Sequence, residues 1–138
     1  MSMILVIADD VSMRKVLERF LTHLGHPVVV VSGGAMGLST AKGIKFDLVI
    51  SDLAMPGMDG LETFKEIQAI DPNLKAIFIS GLEERNPNRE LNKLRERGLA
   101  AFVPKPFGLK EIKELVEQML PKEPVQAQQG KVTKRPEE

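Results

Sequence analysis

The chain alternates two periodicities, and that alternation limits its fold more than any other feature. Short apolar runs rich in Val and Ile occur at 3–8, 27–31, 46–51, 75–79 and 100–103. None alternates strictly between polar and apolar residues, which suits strands covered on both faces. Between the runs lie helical patterns. Over 12–25 the apolar residues Val16, Leu17, Phe20, Leu21 and Leu24 fall on one helical face. Ser12 is the expected N-cap there and Gly25 the expected stop. Leu109, Ile112, Leu115, Val116 and Met119 repeat the pattern near the carboxyl end. Further helices are expected over 34–42, 59–67 (capped by Asp59) and 88–97. Five strands alternating with five helices predict a doubly wound α/β fold, with a parallel sheet, helices on both faces and right-handed crossovers.

A length of 138 residues suits one domain. Lys plus Arg and Asp plus Glu number 19 each, so no global field favours nucleic acid or an anionic membrane. Without cysteine the chain has no disulfide, thiolate zinc site or cysteine nucleophile, which fits a reducing compartment. The amino terminus lacks a basic segment, and no apolar stretch is long enough to span a bilayer. We therefore expect a cytoplasmic domain over 1–120 that neither inserts into a membrane nor binds nucleic acid directly. From Pro121 the sequence turns to Pro, Gln, Lys and Glu without periodicity, so 121–138 is expected to be a disordered tail or the start of a linker.

Asp9 and Asp10 follow the first apolar run directly, and Asp52 follows the third. In an open parallel sheet, ligands bind outside the carboxyl ends of the strands, where the strand order reverses. If the first and third strands are neighbours, three carboxylates converge there. Two such charges ~4 Å apart repel by about 4 kcal/mol at an effective dielectric of 20. Protonation of one acid or a bound cation relieves that repulsion, and an oxygen-only donor set selects a hard cation, Mg²⁺ foremost. Ser80 and Lys105 close the last two runs. A hydroxyl and an ammonium beside a metal-loaded carboxylate suit a phosphoryl group. Taken singly, each residue has an ordinary reading: solvated acids at a strand end, a turn serine, a surface lysine. Their shared placement at strand ends is what points to chemistry. The glycine-rich stretch 32–37 lacks the spacing of a phosphate-binding loop and reads as a turn before a helix.

The segments "ADD", "FDLVISDLAMPGMDG", "IFIS" before Gly81, and "FVPKPF" resemble the receiver domain of bacterial two-component response regulators, in order, over residues 3 to about 120. The resemblance implies a flavodoxin-like (CheY-like) fold with strand order 2-1-3-4-5. It implies that Asp52 is the phosphoacceptor, charged by a histidine kinase or a histidine phosphotransfer protein. It further implies that Asp10 ligates Mg²⁺ directly and Asp9 mainly through water, with Asp52 and the backbone carbonyl of Ala54 as the other ligands. Lys105 would pair with the phosphoryl oxygens, Ser80 would move to hydrogen-bond them, and Phe102 would swing inward behind it. The Lys105–Pro106 bond would be cis. A downstream protein or output domain would read the face of the fourth helix, fifth strand and fifth helix. Such a domain catalyses only its own phosphorylation and dephosphorylation, turning over no external substrate.

Three features depart from the family pattern. The stretch from Ser80 to Gly98 is a few residues longer than usual, and Asn86-Pro87 places the extra length in a loop before the fourth helix. Ser51 replaces a commoner large apolar or acidic neighbour of the phosphoacceptor, and Ser80 stands where threonine is commoner. The alternative from the enzyme class is a Mg²⁺-dependent phosphohydrolase with an aspartyl-phosphate intermediate. Such enzymes usually carry a second acid two residues after the nucleophile, where this chain has Ala54. An FMN-binding electron carrier is disfavoured by the acids and by the lack of Trp and Tyr to stack a flavin. Stand-alone regulator, relay intermediate and part of a longer chain all remain open at this level.

Overall fold

Successive side chains of a strand point to opposite faces, so a strand without polar positions needs cover on both sides. In the computed structural model, which describes residues 2–53, 60–80 and 89–120, the apolar runs receive that cover. The strands are β1 (Ile4–Ile7), β2 (Val28–Val31), β3 (Leu48–Asp52), β4 (Lys75–Ser80) and β5 (Ala100–Pro104). The helices are α1 (Val11–His23), α2 (Gly34–Gly43), α3 (Gly60–Ile70), α4 (Arg89–Glu96) and α5 (Leu109–Met119). The expected cap Asp59, the Ala54 carbonyl, Gly81, the Asn86-Pro87 loop, a helix start at Asn88 and the expected tail at 121–138 fall outside the described residues.

The sheet is parallel throughout, in the order β2-β1-β3-β4-β5, as the resemblance implied. Ile4 and Val6 of β1, Leu48 and Ile50 of β3, and Ile77 and Ile79 of β4 face Leu17 and Leu21 of α1 and Ile112 and Val116 of α5. The alternate residues Leu5, Ile7, Val49, Ala76 and Phe78 join Phe64 and Ile67 of α3 and Leu91 and Leu94 of α4. The chain therefore winds outward from β1 to β2, then crosses to β3 on the far side of β1. That reversal puts the carboxyl ends of β1 and β3 side by side, where such sheets hold ligands.

The α1 helix ends where the sequence predicted. Gly25 takes φ 97°, its N–H reaches the Thr22 carbonyl at 2.9 Å, and the His26 N–H reaches the Leu21 carbonyl at 3.1 Å. This paired closure needs a residue tolerant of positive φ. The start of α1 differs from expectation. The N-cap is Asp10, not Ser12: the Asp10 Oδ1 accepts the N–H groups of Ser12 at 2.8 Å and Met13 at 3.4 Å. Both residue types cap helices, and a carboxylate adds charge to the same pair of amide bonds. Ser12 is left inside the first turn. The α3 helix runs to Ile70, beyond the expected end at 67; Ile70 continues the three-residue spacing of Leu61, Phe64 and Ile67 into the last turn.

Gly60 opens α3 directly over the end of β3. A Cβ there would strike the Asp52 carbonyl oxygen and crowd the Leu53 Cα at 3.0 Å. Both are backbone atoms that cannot rotate away. Gly43, at the end of α2, has nothing within 4 Å of a built Cβ. We expect Gly60→Ala to lower stability by about 1–3 kcal/mol through overpacking. Gly43→Ala should be neutral or stabilising by up to about 1 kcal/mol. Urea denaturation followed by circular dichroism reads both, and equal effects would contradict the contact geometry.

Candidate functional site

Three strand ends assemble the rim. Asp52 is the last residue of β3 and is only 2% exposed. Ser80 ends β4, half-buried and in register with Pro104 of β5. Lys105 follows β5, where its backbone N–H donates to the Ser80 carbonyl at 2.9 Å. That bond aims the side chain back across β4. The Lys105 Nζ donates to the Asp52 Oδ2 at 3.0 Å, with the lysine side chain 40% exposed. The Lys105–Pro106 peptide is cis, as expected from the "KPF" segment. Sequence separation of 53 residues thus closes into one ion pair.

The pair is electrostatically lopsided. A carboxylate taken out of water loses hydration worth several kcal/mol, and a partner at hydrogen-bonding distance offsets that loss. Lys105 keeps much of its own hydration because its side chain is part-exposed. The neighbouring Ser51 is 1% exposed, and its hydroxyl donates to the Asp52 carbonyl oxygen at 3.0 Å. Its buried polar group is therefore satisfied next to Asp52.

Asp9 and Asp10 follow β1 and are both exposed. Their strand lies beside β3, with Ile7 in register with Ser51, so the two acids and Asp52 share one end of the sheet. The donor chemistry there is carboxylate oxygen, which fits a hard cation. The side chains do not converge into a ready-made cage: among the described residues no three acidic or histidine groups gather as a metal set. Asp10 is turned toward its own helix by the cap bonds. The Ala54 carbonyl, the remaining expected ligand, lies outside the described residues.

Three contacts around these strand ends were not legible in the sequence. The Arg14 Nη1 donates to the Ala8 carbonyl at 2.7 Å, so a guanidinium stands behind the acidic pair. Phe102, half-buried, stacks on Phe78 with centroids 5.9 Å apart and planes at 25°, and the Arg95 guanidinium lies 5.6 Å from its ring centroid. A cavity of about 350 Å³ floored by Phe46, Ile67 and Leu74 opens between the far ends of α2 and α3, at the opposite end of the sheet from the rim.

The response regulator receiver domain family matches residues 4–117, and the chain belongs to that family. The chain is 33% identical over 120 residues to the response regulator receiver protein CpdR of Brucella abortus (strain 2308), covering 87% of this chain and 98% of CpdR. It is 36% identical over 117 residues to the DNA-binding transcriptional regulator NtrC of Azospirillum brasilense, covering 85% of this chain but 24% of NtrC. Among solved structures it is similar to the response regulator TrrA of Thermotoga maritima in complex with Mg²⁺-BeF. That match has a TM-score of 0.73 and 30% identity, and covers 87% of this chain and 100% of TrrA. Receiver domains are signal-transduction modules rather than enzymes acting on outside substrates, and no described helix is long and apolar enough to cross a membrane.

The cap geometry makes a direct prediction. Asp10→Ala should cost about 1 kcal/mol of stability through loss of the amide acceptor, while Ser12→Ala should stay within a few tenths. Thermal denaturation in the presence of a chelator checks this. A larger loss for Ser12→Ala would return the cap to the serine.

Proposed function

We propose that Asp52 accepts a phosphoryl group from the phosphohistidine of a histidine kinase or histidine phosphotransfer protein, and that the acyl phosphate controls a partner-binding face. The observation that carries this reading is the buried Asp52 carboxylate held at 3.0 Å by Lys105 on the rim shared with Asp9, Asp10 and Ser80. A carboxylate oxygen attacks phosphorus, the P–N bond breaks, and its electron pair returns to the imidazole. The imidazole leaves neutral, because its other nitrogen already carries a proton. Lys105 stays beside the transferred oxygens, and Ser80 donates a hydrogen bond to them from the adjoining strand end.

Mg²⁺ would be held by Asp10 directly, by Asp9 through water, by Asp52 and by the Ala54 carbonyl. When bound it supplies charge neutralisation between the acids and the phosphoryl oxygens. The Mg²⁺-BeF complex of TrrA supports such a site in a domain of this size and similarity. On this reading the receiver occupies 1–120 in the cytoplasm, and 121–138 is a tail or linker. Phe102 moves inward when Ser80 engages the phosphoryl group, and the face of α4, β5 and α5 presents the change to a downstream protein or output domain. The match to a quarter of NtrC, which is named a transcriptional regulator, supports output through attached or separate partners.

Intact mass after acetyl phosphate and Mg²⁺ should show one added phosphoryl group, absent in Asp52→Asn and absent with a chelator. Full labelling of Asp52→Asn would reject the assignment. In calorimetric titration, Asp10→Ala should lose more Mg²⁺ affinity than Asp9→Ala, since only the first removes a direct ligand. The reverse order would mean the two acids exchange roles.

A further inference from the structure

Arg95 has no catalytic position, yet it touches Phe102, an aromatic residue of the strand that leads into Lys105. Its guanidinium lies 5.6 Å from the Phe102 ring centroid, and its Nη2 donates to the Asn92 Oδ1 at 3.1 Å. Phe102 in turn stacks on Phe78, which meets Phe64 of α3 edge-on at 5.6 Å and 87°. Phe102 is therefore held between the buried aromatic pair and a cation on an exposed turn of α4. Three residues further on, just past the end of that strand, Lys105 is held on Asp52.

We propose that Arg95 is a brake on the loaded state of Asp52. The inference rests on the phosphoacceptor reading above. A phosphoryl group moves the negative oxygens outward from the buried carboxylate, and the Lys105 ammonium follows them. Lys105 continues directly from β5, and its backbone N–H is bonded to the Ser80 carbonyl, so displacement of its side chain loads that strand end. The Arg95–Phe102 contact ties that strand end to α4 in the arrangement fitted to the bare carboxylate. Loading Asp52 has to stretch or break this tie. The same tie sets how readily α4 is released, which makes Arg95 a regulatory residue of the output face without any contact to the reacting atoms.

The probe is beryllofluoride with Mg²⁺, titrated into the full chain and followed by fluorine NMR. Arg95→Gln should bind it roughly two- to fivefold tighter, the size of an exposed cation–π contact. Arg95→Lys, which keeps the cation, should stay near wild type. The sign discriminates between causes, because removing a cation near an anion site weakens the anion if only the field acts. In a Phe102→Leu background, Arg95→Gln should have no further effect. An unchanged or weaker affinity in Arg95→Gln overturns the proposal, as does an equal gain with Phe102 absent, which would indicate general loosening of α4. If wild type binds no beryllofluoride, or Asp52→Asn binds it equally well, both the brake and the phosphoacceptor reading fall. Binding that requires Asp52 but ignores Arg95 removes the brake alone.

Discussion

A carboxylate with 2% of its surface in water persists only where a cation stands against it, and the Asp52–Lys105 pair meets that condition at 3.0 Å. The two residues come from opposite parts of the chain, so the contact requires β3, β4 and β5 to be adjacent, parallel and in register. Slipping β5 by one residue along β4 would turn Val103 out of the core and carry Lys105 away from Asp52. The ion pair and the hydrophobic packing therefore demand the same arrangement. Ser80 lies between them because β4 is the strand between them.

The acids of β1 answer to a different constraint. They sit beside Asp52 because the chain reverses its winding between β1 and β3, leaving both carboxyl ends open on one crevice. Exposure lets solvent screen their mutual repulsion, which the buried acid could not use. Asp10 also has a second occupation: it closes the first turn of α1. If the proposed Mg²⁺ binds here, an acid that also caps a helix would tie the order of that helix to the occupancy of the site. Arg14, bonded to the Ala8 carbonyl, adds a fixed positive group behind the same turn.

The sheet was legible because strands buried on both faces leave continuous Val and Ile runs, and every run became a strand within a residue or two of its expected ends. The placement of Asp52, Ser80 and Lys105 was legible for a related reason: each lies within two residues of the end of such a run. The cap was misjudged because Asp10 and Ser12 both satisfy the residue preference, and only the backbone entry angle decides between them. The last turn of α3 was missed although Ile70 extends the spacing of Leu61, Phe64 and Ile67, because no stop residue marks the end before Asp71-Pro72. Arg14 on Ala8 and Arg95 on Phe102 had no sequence signature. An arginine one turn along a helix meets whatever the tertiary packing brings to it, and linear spacing does not encode that neighbour.

The asymmetry of the central pair sets the direction in which a change of charge can travel. β3 is buried along its whole length and flanked by strands on both sides, so the Asp52 backbone has no room to respond. Gly60 against the Asp52 carbonyl and Ser51 bonded to it close the remaining space. Lys105, by contrast, is 40% exposed at the end of an edge strand. Under the proposed phosphorylation, the mobile partner is therefore the lysine, and strain passes into β5 rather than β3. β5 packs against α4, which among the described residues places Leu91 and Leu94 in the core, Arg95 over Phe102, and Glu90 in an exposed ion pair with Lys65 at 2.6 Å. Exposed ion pairs contribute little. Under the proposed phosphorylation, the helix packed against β5, beside the more exposed member of the ion pair, is where a signal from Asp52 would pass outward.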